Sequence, residues 1–373
     1  VISRSINAVS PLFHSPERFI MSSMYADRIH AYDSTDMYSV LCDFPGQIRT
    51  GLDIGNTVPL TGLDTRAIRA MLVCGMGGSG IGGDVLRMVV ADKARCPIVV
   101  NRDYQLPAWV DAHTLVVVMS YSGGTEESLA AFDAARDRGA ACVVVTSGGA
   151  LLERAEAQGI PAAIIPGGLA PRCALGYLFA PLLMIAARCD LFDIQESTLR
   201  ALVSDLDRLA KRFADYTDDE NPAITIAEAL HDHLPVFYGA QYPLEAVLQR
   251  WRCQIEENAK TLAWSNVLPE MNHNEIVGWE RQPDLLQRIC VVVLHDRDEL
   301  PQIRTRLDVT LDIIRPLAGN VLEVYAEEEE LLSRILGLIY LGDWVSFYLA
   351  VGTGVDPFPI ANINRLKDAL ARR

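Results

Sequence analysis

Apolar residues in this chain gather in short runs set apart by spacers of helical length. Residues 71–75, 98–101, 115–120, 142–146 and 162–166 are such runs, and each predicts a strand. Wholly apolar strands alternating with helices predict a parallel sheet covered on both faces. Residues 198–219 pattern as a charged, amphipathic connecting helix, which the Asp-Asp-Glu-Asn-Pro run at 218–222 breaks. A sparser second set of runs follows at 235–239, 289–294 and 321–325. The eight evenly spaced strand–helix units of a closed barrel are not found. The predicted class is therefore α/β, with two doubly wound parallel-sheet subdomains at 24–197 and 223–373 and a connecting helix and linker at 198–222. Residues 1–23 show no clear period and read as an extension ahead of a folded body that starts near Met24.

Half of the 373 residues are apolar and 22% are charged, enough for a sizeable core and too apolar for a disordered chain. The formal charge of −15 argues against a nucleic-acid partner, which needs a basic face, yet leaves room for a local pocket that takes a small anion. Cys42, Cys74, Cys96, Cys142, Cys173, Cys189, Cys253 and Cys290 stand singly, with no C-x-x-C pair. That is the usage of free thiols in a reducing cytoplasm, not of a disulfide framework or a zinc site. The first residues lack the basic and apolar regions of a signal peptide, and the expected location is cytoplasmic. The most apolar stretch, 335–351, carries Asp343 and two glycines, so a buried helix is expected there and no membrane span. Lysine is rare, at Lys93, Lys211, Lys260 and Lys367 only, which singles those positions out.

Two loops carry the candidate chemistry. Gly75-Met-Gly-Gly-Ser-Gly-Ile-Gly-Gly-Asp84 follows a predicted strand and opens a helix, and Gly75, Gly77 and Gly80 satisfy G-x-G-x-x-G. Such a loop lets the backbone approach an anion at a helix N-terminus. A dinucleotide site also wants an acidic residue at the end of the second strand, and here Asp103 sits past Asn101 and Arg102. The second loop, Ser120-Tyr-Ser-Gly-Gly-Thr-Glu-Glu-Ser128, puts three aliphatic hydroxyls within its first six residues, where the next helix offers unpaired N–H groups. It reads either as a serine-rich N-cap with Glu126 and Glu127 complementing the helix dipole, or as part of a phosphate site. Ser79, Ser120, Ser122 and Thr125 together suit the three terminal oxygens of a phosphate monoester, which a pyrophosphate bridging two nucleosides would not need. With both loops present, a sugar phosphate outweighs a nicotinamide dinucleotide.

The pair Gly-Met-Gly-Gly-Ser-Gly-Ile and Ser-Tyr-Ser-Gly-x-Thr-Glu-Glu resembles the phosphosugar loops of sugar isomerase (SIS) domains. More narrowly, it is similar to the bifunctional phosphoglucose/phosphomannose isomerases of archaea and bacteria, a likeness that covers nearly everything after Met24. Gly124 stands where that family usually has Asn, which removes no hydroxyl. The resemblance implies two SIS-type subdomains and a substrate site made of Gly78, Ser79, Ser120, Ser122, Thr125 and Arg172. Arg172, in Pro171-Arg-Cys-Ala-Leu-Gly-Tyr177, faces ligand or surface equally well on its own residues; by resemblance it stabilises an enediolate. Glu256 and Glu257 lie on a predicted helix, about 100° apart, so that one alone can face a given pocket. The family pattern makes Glu257 the catalytic base, His273 of Asn272-His-Asn-Glu275 a proton mover, and Lys367 of the last helix a further site residue.

The reaction so implied is reversible interconversion of glucose 6-phosphate and mannose 6-phosphate with fructose 6-phosphate through a cis-enediol, with no cofactor and no metal. The resemblance also implies a homodimer in which His273 completes the neighbouring subunit's site. Two other classes fit parts of the sequence: a non-catalytic SIS regulator that senses sugar phosphates, and a nicotinamide-dependent dehydrogenase that the first glycine loop alone would allow.

Overall fold

The computed structural model describes residues 18–370 together with residue 372. The chain divides into two compact units, each built on its own parallel sheet. One comprises Asp43–Arg208 with Glu330–Ile335; the other comprises the residues up to Cys42, Leu209–Glu329 and Leu336–Arg373. Residues 24–42 thus group with the second sheet. The helix that holds Met24 begins at Arg18, and the earlier part of the expected extension, residues 1–17, lies outside the described residues.

The first unit carries β1 (Ala70–Cys74), β2 (Ile98–Asn101), β3 (Thr114–Ser120), β4 (Ala141–Thr146) and β5 (Ala162–Ile164), in the order β2-β1-β3-β4-β5. All five pair in parallel, with Met71 beside Leu115 and Ser120 beside Thr146. These are the five strands that the apolar runs predict. β3 is buried along its whole length, because a central strand with both faces covered has no place for a polar side chain except at its end. One face packs Leu72, Val116, Val118 and Val144 against Phe132 of the helix Glu126–Asp137. The helices Phe44–Thr57 and Leu175–Arg188 pack closely, since a Cβ on Gly51 would stand 2.8 Å from that of Ala180.

The second sheet has the order β7-β6-β8-β9: β6 (Leu234–Ala240), β7 (Trp264–Leu268), β8 (Ile289–His295) and β9 (Asn320–Tyr325). It is parallel throughout, so both halves are doubly wound. Strand β7 has no counterpart among the predicted runs. It is an edge strand with only Leu268 buried, so Trp264-Ser-Asn-Val carries no apolar run for a sequence reading to find.

The apolar stretch around Asp343 is helix Leu331–Gly352, and the most apolar window of that helix is 94% buried within the protein. Asp343 accepts two hydrogen bonds from Arg250, from Nε at 2.9 Å and Nη2 at 2.7 Å, with both residues buried. Burial pushes the Asp343 carboxyl up, and Arg250 opposes that. Such a pair is expensive to break, because removing one partner leaves the other charged and buried.

Candidate functional site

In the first sheet the neighbouring strands β1 and β3 send their chains to opposite faces. The order 2-1-3-4-5 makes this the topological switch point, where the loops leaving the carboxyl ends of the two strands open a crevice. Both candidate loops fall there. After Cys74 the chain turns through Gly75 and Met76 into α1 (Gly77–Val89), whose N-cap residue Met76 supplies no side-chain cap. The Ser79 N–H turns back to the Met76 carbonyl at 2.9 Å, and the N–H groups of Gly77 and Gly78 keep their capacity for an outside acceptor. Two glycines are required by close approach. A Cβ on Gly80 would lie 2.5 Å from the Gly75 carbonyl oxygen, and one on Gly78 would lie 2.8 Å from that of Pro171.

The second loop runs from Ser120, at the end of β3, to Thr125, the N-cap position of α2 (Glu126–Asp137). Thr125 makes no side-chain capping bond, so a serine-rich cap is not what this loop builds. Its hydroxyls are tied to one another and to the first loop instead. Ser79 Oγ accepts the Tyr121 N–H at 3.2 Å, Ser122 Oγ accepts the Gly124 N–H at 3.4 Å, and Thr125 Oγ1 accepts the Ser120 hydroxyl at 2.9 Å. A hydroxyl has one proton to give. Ser79, Ser122 and Thr125 serve here as acceptors, which leaves their own protons for a ligand, whereas Ser120 spends its proton on Thr125. The four hydroxyls are thus three outward donors and one supporter. Ser79 and Ser120 are buried and Ser122 is exposed.

Arg172 is buried in the short turn Pro171–Cys173, whose Pro171 carbonyl is the group that abuts Gly78. The end of β2 is built differently from a dinucleotide site. Arg102 pairs with buried Asp84 of α1 and its Nε lies 3.1 Å from where a Cβ of Gly80 would stand, so a cation occupies the neighbourhood of the expected ribose acid.

The other sequence-predicted residues belong to the second sheet's unit. Glu257 lies in a single π-helical turn, Ile255–Ala259, that continues α3 (Gln241–Gln254). The predicted plain α-helix is corrected here: a wider turn, of a kind often found at functional sites, sets the angle between Glu256 and Glu257. The turn ends at Lys260, whose φ is +57°. Lys260 Nζ donates to the carbonyl oxygens of Glu257 at 2.6 Å, Asn258 at 3.3 Å and Pro357 at 3.0 Å. Asn258 is buried and donates to Ser346 Oγ at 3.0 Å. Sequence reasoning singled out Lys260 by the rarity of lysine and as the lysine of Glu257-Asn-Ala-Lys260 but gave it no part; its three bonds hold the backbone of the Glu257 turn.

Around His273 the neighbouring polar residues are occupied with structure. Asn272 donates to Thr310 Oγ1 at 2.9 Å, and Asn274 donates to Glu270 at 2.9 Å while accepting the Glu275 N–H at 2.6 Å. Glu275 accepts from Tyr238 Oη of β6, Trp264 Nε1 and Asn266 Nδ2 of β7, locking the segment to the sheet edge. Burial, with the Glu275 charge beside it, pushes the Tyr238 phenol up. His273 itself is exposed and has no hydrogen-bond partner among the described residues. Lys367 sits in α4 (Ala361–Leu370), a helix with no buried residue. The structure therefore joins Ser79, Ser120, Tyr121, Ser122 and Thr125 through hydrogen bonds and sets Pro171-Arg172 against Gly78. Glu257, His273 and Lys367 lie on three separate elements: the π turn, the short turn Glu270–His273 and α4.

The model of the bacterial phospho-glucose isomerase C-terminal SIS domain matches residues 219–370. The chain is 40% identical over 336 residues to the bifunctional phosphoglucose/phosphomannose isomerase of Caldicellulosiruptor bescii, covering 90% of this chain and 99% of that protein. To the protein of the same name from Aquifex aeolicus it is 34% identical over 313 residues, or 83% of this chain and 92% of the other. Among solved structures, a hypothetical protein from Thermus thermophilus superposes with a TM-score of 0.74 at 15% identity, covering 95% of this chain and 94% of that one, a likeness of fold.

Proposed function

Because the chain belongs to the bifunctional phosphoglucose/phosphomannose isomerase family, we propose that it interconverts glucose 6-phosphate and mannose 6-phosphate with fructose 6-phosphate. The observation that carries this reading is the cradle at the β1/β3 switch point. Three hydroxyls with protons to give and two uncapped helix starts converge there, a donor set for a phosphate monoester. Gly78 lets the backbone approach the phosphate, and Ser120 orients Thr125.

The remaining roles follow the family's chemistry. Glu257 takes the proton from C2 of the opened aldose and returns it at C1, so hydrogen moves as a proton and the reaction calls for no redox cofactor. Arg172 holds the charge that develops on the enediolate oxygens. His273, with Lys367, moves protons between the ring oxygen and O1 to open the sugar. Glucose and mannose 6-phosphates differ only at C2, so one enediol serves both. We place the enzyme in the cytoplasm as a homodimer. The exposed His273 follows the carboxyl end of β7 while Glu257 precedes its amino end, an arrangement that suits donation of His273 to a second copy. The test is a pair of coupled assays, one starting from each aldose phosphate, with the product followed by proton NMR in heavy water. Solvent deuterium should enter the transferred position; no turnover of either aldose phosphate would sink the reading.

A further inference from the structure

The geometry points to Tyr121 as a positioning residue of this isomerase, one that holds Arg172 in register with the phosphate cradle. Tyr121 stands between Ser120 and Ser122, yet the residue is only 5% exposed. Its backbone already binds two neighbouring segments. The N–H donates to Ser79 Oγ, and the carbonyl accepts both the N–H and the hydroxyl of Ser147, at 3.1 and 2.7 Å.

The side chain reaches a third segment. The phenol donates to the Pro166 carbonyl at 3.0 Å and accepts the Leu169 N–H at 3.0 Å. Pro166-Gly-Gly-Leu169 has the length of a β-turn, in which the first carbonyl and the fourth N–H ordinarily bond each other. Here the Tyr121 oxygen stands between them and satisfies both. Gly167 and Gly168, the latter at φ +94°, bring no side chains of their own, so the turn is held at its ends. Three residues after Leu169 comes Arg172, in the turn whose Pro171 carbonyl abuts Gly78. Burial pushes the Tyr121 phenol up, so the proton it donates to Pro166 stays in place at neutral pH. One residue thus ties the glycine loop, the hydroxyl loop and the Arg172 segment together. A tyrosine here does what serine or phenylalanine cannot: it spans the distance and both gives and takes a hydrogen bond.

This inference rests on the isomerase reading and on the enediolate role of Arg172. Tyr121→Phe keeps the ring and the backbone bond to Ser79 and deletes only the clamp on Pro166 and Leu169. Inorganic phosphate should then bind within about 2-fold of wild type, while kcat for fructose 6-phosphate falls about 10-fold or more, the split expected of an interaction made in the transition state. The same change in an Arg172→Lys background should cost much less, because both act through one group. Hydrogen exchange at the Leu169 amide should be slow in the wild type and faster in Tyr121→Phe.

Unchanged kcat in Tyr121→Phe, whatever happens to its melting temperature, would overturn the proposal. A parallel loss of phosphate affinity would do so too, since Tyr121 would then act through the cradle. Fast Leu169 exchange in the wild type overturns it without any variant. Failure of the isomerase reading looks different: the wild type does not turn over fructose 6-phosphate, while the exchange measurement still reports whether Tyr121 holds the segment.

Discussion

A hydroxyl's worth to a phosphate depends on where its own proton already goes. Ser122 is exposed, and its oxygen only accepts from Gly124, so Ser122→Ala removes one donor and little structure. Binding of fructose 6-phosphate should weaken by about 1–2 kcal/mol, the scale of one hydrogen bond to a charged group, with the melting temperature unchanged. Ser120→Ala should both weaken binding and lower the melting temperature, because a buried partner of Thr125 is lost. Titration calorimetry and thermal melts on the two variants check this, and equal profiles would count against the division into donors and supporter. The proposed base, Glu257, is tested in the same way. Glu257→Gln keeps size and hydrogen bonding but not basicity, so fructose 6-phosphate should bind nearly as before while turnover falls ~10²–10⁴-fold. Glu256→Gln, on the same π turn, should stay active. A dead Glu256→Gln beside an active Glu257→Gln would move the base by one residue.

At the scale of elements, the carboxyl end of β8 is tied to β9 by a charge cluster that the mechanism does not use. His295 is buried, with Nδ1 3.2 Å from Glu299 and Nε2 3.1 Å from Glu323, and its ring stacks on Tyr325. Glu323 also pairs with Arg315 and accepts from Tyr325. Burial pulls the imidazole down, but hydrogen bonds to Glu299 and Glu323 and their charges outweigh it and hold it at about 9. The hydrogen bond from His295 holds Glu323 down at about 2, against burial. A raised histidine stabilises the fold fully below its unfolded value near 6.5, and that contribution is lost as pH rises towards 9. The loss is at most about 3 kcal/mol. The wild-type melting temperature should therefore fall between pH 6.5 and 9 more steeply than that of His295→Gln, and parallel curves would remove the latch.

What the sequence made legible at this scale follows burial. The strands covered on both faces, such as β3 and β8, announce themselves as apolar runs, and of the strands among the described residues only edge strand β7 escapes. The π turn escapes for another reason, since Ile255-Glu-Glu-Asn-Ala has no composition that separates it from an ordinary helix. The glycine loop and the hydroxyl loop stand out because their glycine and hydroxyl spacing is itself what suits the proposed phosphate site. The part of Tyr121 was not, because its partners Pro166 and Leu169 lie 45 and 48 residues away along the chain.

For the whole molecule, the proposed homodimer and the proposed roles of Glu257 and His273 together make a prediction about which copy's His273 serves which Glu257. The two residues flank β7, a strand of five residues that spans about 13 Å, with Glu257 before its amino end and His273 after its carboxyl end. His273 is exposed, and α4 with Lys367 buries none of its residues within its own copy. A two-fold dimer repeats every contact, so a histidine lent to the neighbour is returned by the neighbour's own. Glu257→Gln and His273→Ala dimers, each inactive alone, then carry complementary defects. When the two are unfolded together and refolded at equal amounts, about half of the dimers are mixed, and each mixed dimer has one site with both groups intact. Activity should return to about one quarter of wild type. The site that regains activity joins an unaltered Glu257 from one chain to an unaltered His273 from the other. If His273 acts within its own chain, every site in the mixture lacks one group, and no activity returns at any ratio.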